Sequence, residues 1–314
     1  MLKNKKQWLL TLLAGSSYLF SLTAITQALP QAQAQGSPNN NASAIGRDVK
    51  TGTTQGIGSS NQKTSSATSS VSGFTPGSSV NALAESRIGA KPRSIIGSDN
   101  RTKITNTTTY PWSTITKLYV TFPYGKKVCS GAMIAAKYTI TTGQCVYDSS
   151  LGGWAKSAEV IPGLQGSYRP YGTAYATYFR TYTNWTSSKD QNYDIGLITL
   201  DRNIGNSTGW LGYANYSSVN GLTGHLVGYP TDKDGGLYPY YDYGSIYSST
   251  AYRLYYPMDT YGQTGSPIYR IYNNQRYVFG VHGYNATSSY PYNSGTRIDS
   301  YKYNDLKSWF NSGY

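Results

Sequence analysis

This 314-residue sequence predicts an all-β fold, a sandwich or barrel built as one domain or as two small β-barrels, with one short helix at the C-terminal end. Three observations predict it. The chain carries 34 Gly and 33 Tyr, which favours strands and turns over helices. Charged residues make up 13 %, well below the roughly 25 % of an average soluble domain, which argues against a coiled coil or a solvated helix bundle. Short strand-like runs recur at even spacing with Gly, Pro, Asn or Asp between them, the pattern of a sandwich or barrel.

The elements follow in chain order. Lys3, Lys5 and Lys6 precede a mostly apolar run over 8–25, and Ala32-Gln33-Ala34 offers a small-residue cleavage site. Residues 1–34 read as a secretory signal peptide. The alternative is a membrane anchor, but Ser16, Ser17, Ser21 and Thr23 dilute the apolar run. Residues 35–93 read as a disordered linker or propeptide, with a cell-wall spacer as the other reading. Up to about residue 82 that stretch has no Leu, and Phe74 is its one aromatic residue. Such a composition buries too little apolar area to offset the entropy of ordering.

Composition changes after Arg93. Of the 33 Tyr, 32 lie from Tyr110 onward. The chain's net charge of +13 divides into +7 before Ser94 and +6 after it. The folded part is therefore only moderately basic, and no basic helix or aromatic nucleic-acid motif accompanies it, so nucleic acid is not an expected partner. Within 94–314, strands are expected at 117–122, 130–134, 138–142, 159–162, 174–182, 195–201, 225–229, 244–247, 253–258, 266–271 and 277–282. Only 303–310 reads as helix, because Leu306, Trp309 and Phe310 fall at i, i+3, i+4. Cys129 and Cys145, an even pair in an exported chain, are expected to form a disulfide. A reactive thiol is the alternative, and no His neighbours either Cys in sequence. Two Cys and two His do not readily furnish a four-ligand zinc site, and no cofactor or calcium-binding run is present.

Several segments together resemble the glutamyl endopeptidase group of chymotrypsin-fold serine peptidases, which Gram-positive bacteria secrete. They are the run 94–102 with Tyr110-Pro111, Cys129-Ser130-Gly131, Thr141-Thr142-Gly143-Gln144-Cys145, Asn192-Tyr193-Asp194-Ile195-Gly196, and Asp259-Thr260-Tyr261-Gly262-Gln263-Thr264-Gly265-Ser266-Pro267. Gly280-Val281-His282, Gly228-Tyr229-Pro230 and Gly295-Thr296-Arg297-Ile298 add to it. The resemblance covers 94–314 and implies a trypsin-like double β-barrel. It also implies a catalytic triad at positions 144, 194 and 264. Asp194 is as expected there, but Gln144 stands where the family has His and Thr264 where it has Ser. The resemblance assigns backbone N–H groups of Gly262 and Thr264 to an oxyanion hole. His282, with a new α-amino group at Ser94 after a cut at Arg93–Ser94, would bind an acidic substrate side chain.

A Gln amide is not basic near neutral pH and cannot take a hydroxyl proton. Thr264 keeps a hydroxyl, but branching at Cβ restricts χ1 and crowds the place a carbonyl must occupy. The chain is therefore expected to be a secreted, monomeric, catalytically inactive homologue that binds peptide or protein through a retained cleft. The alternative reading is a weak endopeptidase that uses Thr264 as nucleophile; a relict cleft with no present use is another. His225 is expected to be an ordinary strand or surface residue. The Tyr runs at 168–182 and 238–256 read as strand packing, or as an adhesive surface for protein, glycan or an anionic cell-envelope polymer.

Overall fold

The computed structural model describes residues 42–58, 68–76, 99–287 and 290–312. The signal peptide expected over 1–34 and Ser94 lie outside the described residues.

Two barrel-like sheets carry the structure, as the strand spacing predicts. In the first, the Ile115–Phe122, Gly125–Ala135, Tyr138–Thr141, Gly196–Leu200, Ala174–Tyr182 and Ser157–Pro162 strands pair in that order, and the last pairs back to the first. Its interior holds Leu118, Val120, Met133, Val160, Phe179 and Ile198, all buried. Alternation explains the first strand: Leu118, Val120 and Phe122 face inward, while Tyr119 and Thr121 are half-buried. The second sheet runs through the Arg253–Tyr256, Asn293–Arg297, Gln275–Tyr284, Pro267–Tyr272, Thr223–Gly228 and Tyr240–Ser245 strands. Leu226, Leu254, Tyr256, Ile268 and Phe279 fill it.

The helix at the end spans Ser300–Asn311. The Asp299 carboxylate accepts from the Lys302 backbone N–H at 2.9 Å and caps its start. Leu306 and Trp309 are buried against Tyr182 and Tyr213, and Phe310 stacks on Tyr138 with ring centroids 4.6 Å apart.

The expectation that 35–93 carries no regular structure fails for two of its segments. Residues Ala44–Asp48 (β1) add to the edge of the Ala174–Tyr182 strand, and Thr54–Gly56 (β2) folds back on β1. Ser69–Val71 (β3) pairs with the Gly212–Asn215 strand of the second sheet. The stretch cannot make a core of its own, and composition shows that much. It is ordered by borrowing open sheet edges, which composition does not show. Two short helices, Thr183–Ser188 and Gly205–Thr208, also escape the sequence reading because neither has apolar periodicity.

Tyrosine divides between interior and surface. Tyr182, Tyr213, Tyr229, Tyr256 and Tyr269 are core residues, whereas Tyr124, Tyr168, Tyr175, Tyr247 and Tyr261 are exposed. His225 lies buried in the Thr223–Gly228 strand, stacked among Tyr241, Tyr243 and Tyr269.

Candidate active site

Gln144 lies in a single 3-10 turn, Gly143–Cys145, directly after the Tyr138–Thr141 strand. The Cys129–Cys145 disulfide ties that turn to the Gly125–Ala135 strand. Lys127 reaches back across it, donating from Nζ to the Gln144 carbonyl at 3.2 Å and to Asp148 at 2.7 Å. The backbone of residue 144 is thus fixed from both sides.

Gln144 and Asp194 meet. The Gln144 backbone N–H donates to Asp194 Oδ1 at 2.8 Å, and Gln144 Nε2 donates to Asp194 Oδ2 at 2.9 Å. Nε2 also donates to the Gly283 carbonyl at 3.3 Å. Both amide protons therefore face acceptors, which leaves Oε1 as the free end of the group. Gln144 reproduces the half of a histidine's role that docks on the aspartate and omits the half that accepts a proton. Asp194 is fully buried, and burial raises its pKa above the usual carboxylate range. The two Gln144 hydrogen bonds oppose that rise. Among the described residues no cation pairs directly with Asp194; the Arg253 guanidinium, 4.8 Å from the Tyr284 ring centroid, opposes the rise only weakly.

Thr264 sits half-buried in a turn whose glycines Gly262 and Gly265 have φ of 63° and 92°. At Gly265 a side chain is excluded outright, since a Cβ there would lie 2.1 Å from the Ser130 carbonyl. The turn is pinned by three bonds. Ser130 N–H donates to the Thr264 carbonyl at 2.8 Å, Gly265 N–H to the His282 carbonyl at 2.8 Å, and His282 N–H to the Ser266 carbonyl at 2.9 Å. Ser130 follows Cys129 and Gln144 precedes Cys145, so one brace holds both substituted positions. Among the described residues, neither the Thr264 hydroxyl nor the N–H groups of Gly262 and Thr264 have a hydrogen-bond partner.

His282 is buried and bonded at both ring nitrogens. Tyr256 Oη lies 2.8 Å from Nδ1, and Thr260 Oγ1 lies 2.7 Å from Nε2. Thr260 Oγ1 donates its proton to Asn285 Oδ1 at 3.0 Å, so it must accept from His282 Nε2–H. Nδ1 then accepts from the Tyr256 hydroxyl. Burial depresses the imidazole pKa to about 3, so the ring is neutral at pH 7.

Ser94 lies outside the described residues. Asn100 is held beside the His282 partners: its N–H donates to Asp259 Oδ2 at 2.9 Å, one residue before Thr260. Arg101, buried, pairs with Asp99 and Asp232.

Sequence reasoning missed the partners of His282. Thr260 lies within the quoted motif, and its spacing to Thr264 is the one signal available. Tyr256 comes from another strand and carries none, and Asn285 lies three residues beyond His282, just past the same strand, with no motif to mark it.

A double barrel with this cleft at its sheet ends defines a class of protein. The Trypsin family matches residues 102–306, and the chain belongs to that family. Within it, the chain is 39 % identical over 227 residues to the Glutamyl endopeptidase of Bacillus licheniformis, covering 70 % of each chain. It is also 39 % identical over 230 residues to a Bacillus subtilis (strain 168) protein called Extracellular metalloprotease, covering 70 % of this chain and 71 % of the relative. A solved structure of Glu endopeptidase in complex with MPD superposes with a TM-score of 0.62 at 29 % identity, over 69 % of this chain and all of the other. Among the described residues no group of three or more His, Cys, Asp or Glu side chains is placed to hold a metal ion. Among them, too, no helix is long and apolar enough to cross a membrane.

Proposed function

We propose that this protein is an exported member of the glutamyl endopeptidase group that holds peptide or protein in its cleft without efficient hydrolysis. The observation that carries the reading is the Gln144–Asp194 pair. Its geometry is that of a catalytic dyad, but the group beside the nucleophile position has no basic atom. Loss of the base alone costs on the order of a millionfold in turnover in the subtilisin case. The relatives' extracellular character and the basic, apolar leader at 1–34 support export.

The pocket retains the means to recognise an acidic side chain. A carboxylate entering beside neutral His282 favours the imidazolium, so binding draws in a proton. Affinity for a Glu-containing peptide should therefore rise as pH falls from 8 to 5, and His282→Gln should remove that dependence. Isothermal titration in two buffers of different ionisation heat measures the proton directly. Binding with no proton uptake would remove His282 from recognition. The exposed rings of Tyr168, Tyr175 and Tyr247 offer a second, adhesive surface for an anionic envelope polymer.

Hydrolysis is the deciding test. The protein is incubated with Glu- and Asp-containing fluorogenic peptides, with Thr264→Ala as the control. No turnover above that control is expected. Turnover that vanishes in Thr264→Ala would make the protein a threonine-dependent peptidase. Joining Gln144→His to Thr264→Ser in one variant should restore cleavage after acidic residues, because the brace, turn and pocket are already in place.

A further inference from the structure

Residues 42–58 and 68–76 are placed as parts of the fold. Ala44 is fully buried in the core shared with Tyr182 and Trp185. β1 runs antiparallel to 178–182, and the ladder continues past both its ends: Thr183 N–H donates to the Ser43 carbonyl and Val49 N–H to the Thr177 carbonyl, each at 2.9 Å. Gln55 Nε2 reaches Tyr178 Oη at 3.2 Å. The fit requires Gly46, since a Cβ there would lie 2.3 Å from the Tyr178 ring. The second attachment is on the other barrel. β3 pairs with Tyr213–Asn215, Phe74 exchanges two 2.9 Å backbone hydrogen bonds with Trp210, and their rings lie 4.5 Å apart. There the receiving strand supplies the glycine: a Cβ at Gly212 would meet the Val71 carbonyl at 2.4 Å. Each side thus omits side chains where the other approaches.

We propose that the 99–312 part carries a β-strand acceptor site for its own 42–76 segment, and that this segment stays bound as a separate chain once the connector over 77–98 is cut. The expected cut at Arg93–Ser94 falls in that connector. Two features favour retention over release. The ladder hydrogen bonds of the 174–182 and 212–215 strand edges are made by the segment, and its removal leaves two bare edges, the usual template for aggregation. The two attachments are also joined by a short linker, so when one opens the other keeps it at millimolar effective concentration. The Trypsin family match begins at residue 102, beyond the segment, so the strap is an addition to that fold.

The test uses the full exported chain with a site-specific protease sequence placed within 77–98. After cutting, native mass spectrometry and size exclusion should find both pieces in one 1:1 particle, parted only by denaturant. A synthetic 42–76 peptide should rebind the strap-depleted core 1:1, and the same peptide carrying Gly46→Val with Phe74→Ala should bind at least tenfold more weakly. Loss of the segment on cutting, whether the core stays folded or precipitates, overturns the proposal. So does equal binding of the two peptides. Placing the changes in the peptide keeps the core's own folding out of the comparison.

Discussion

At the scale of single residues, Lys117 conflicts most with its surroundings. It lies on the Ile115–Phe122 strand with 1 % exposure, and among the described residues its Nζ has no hydrogen-bond partner. The Tyr119 and Tyr229 rings, with centroids 5.7 and 5.6 Å away, are its softest company. Burial lowers the ammonium pKa to about 8 from 10.5. A folded pKa below the unfolded one means that the unfolded chain binds more protons between those values, so Lys117's contribution to stability rises with pH from about 8 to about 10.5. The full difference is about 3 kcal/mol, a penalty present below pH 8. Lys117→Met keeps the length, removes the charge and should raise stability at pH 7. Urea midpoints at pH 7, 9 and 10.5 check it. The gap between variant and parent should narrow with pH, and a constant gap would show that the charge is not what costs stability. Comparing the two proteins cancels the tyrosines, which titrate alike in both. Gln144 is the opposite case, a polar residue fully satisfied at its amide nitrogen and still chemically mute.

At the scale of elements, the terminal helix shows how one short segment joins both barrels. Trp309 is fully buried, with Tyr182 of the first barrel at a ring distance of 5.5 Å, while Tyr303 meets Tyr213 at 5.4 Å. Trp309→Ala should cost about 3–5 kcal/mol in chemical denaturation, the usual range for truncating a core aromatic. A loss below 1 kcal/mol would mean that the helix is an appendage. This helix was legible in the sequence because its contacts repeat at helical spacing within a few residues. So were the long strands, such as Ala174–Tyr182, whose pattern is local. β1 and β3 were not, since what orders them is an open edge more than 100 residues away. The site divides in the same way. Gln144, Asp194 and Thr264 were readable from motifs, and His282 and Asp194 do meet the turns those motifs imply. Tyr256 reaches His282 from another strand, which no single segment encodes, and Asn285, three residues after His282, takes its part through Thr260 from the other side of the site.

At the scale of the whole molecule, acid stability depends on buried groups that pull in opposite directions. His225 and His282 have pKa values depressed to about 4 and about 3 by burial. A depressed folded pKa makes unfolding take up a proton once pH falls below about 6.5, so each histidine withdraws stability as the solution is acidified toward those values. Asp242 does the reverse. Burial lifts its pKa to about 6, against the pull of the Asp259 and Tyr243 backbone N–H groups that donate to it. Its folded form holds a proton between about 6 and 3.8 that the unfolded chain has released, and stability from Asp242 grows as pH falls across that window. Near pH 5 the two histidines outweigh Asp242 by about one proton, equivalent to about 1.4 kcal/mol per pH unit, and Asp194, whose pKa burial also raises, acts on the side of Asp242 and softens the slope. Stability should therefore decline gently from pH 6.5 to 4. It should fall faster below 4, where Asp99, held well under the carboxylate range by Arg101, must also protonate. Asp242→Asn deletes one opposing contribution and leaves that of Asp194, so its decline between pH 6 and 4 should be steeper than the parent's by about one proton, about 1.4 kcal/mol per pH unit. Guanidinium midpoints at half-unit steps of pH measure both slopes. Parallel slopes would place the sensitivity in surface charge, and a shallower slope in Asp242→Asn would mean that Asp242 is ionised in the folded protein.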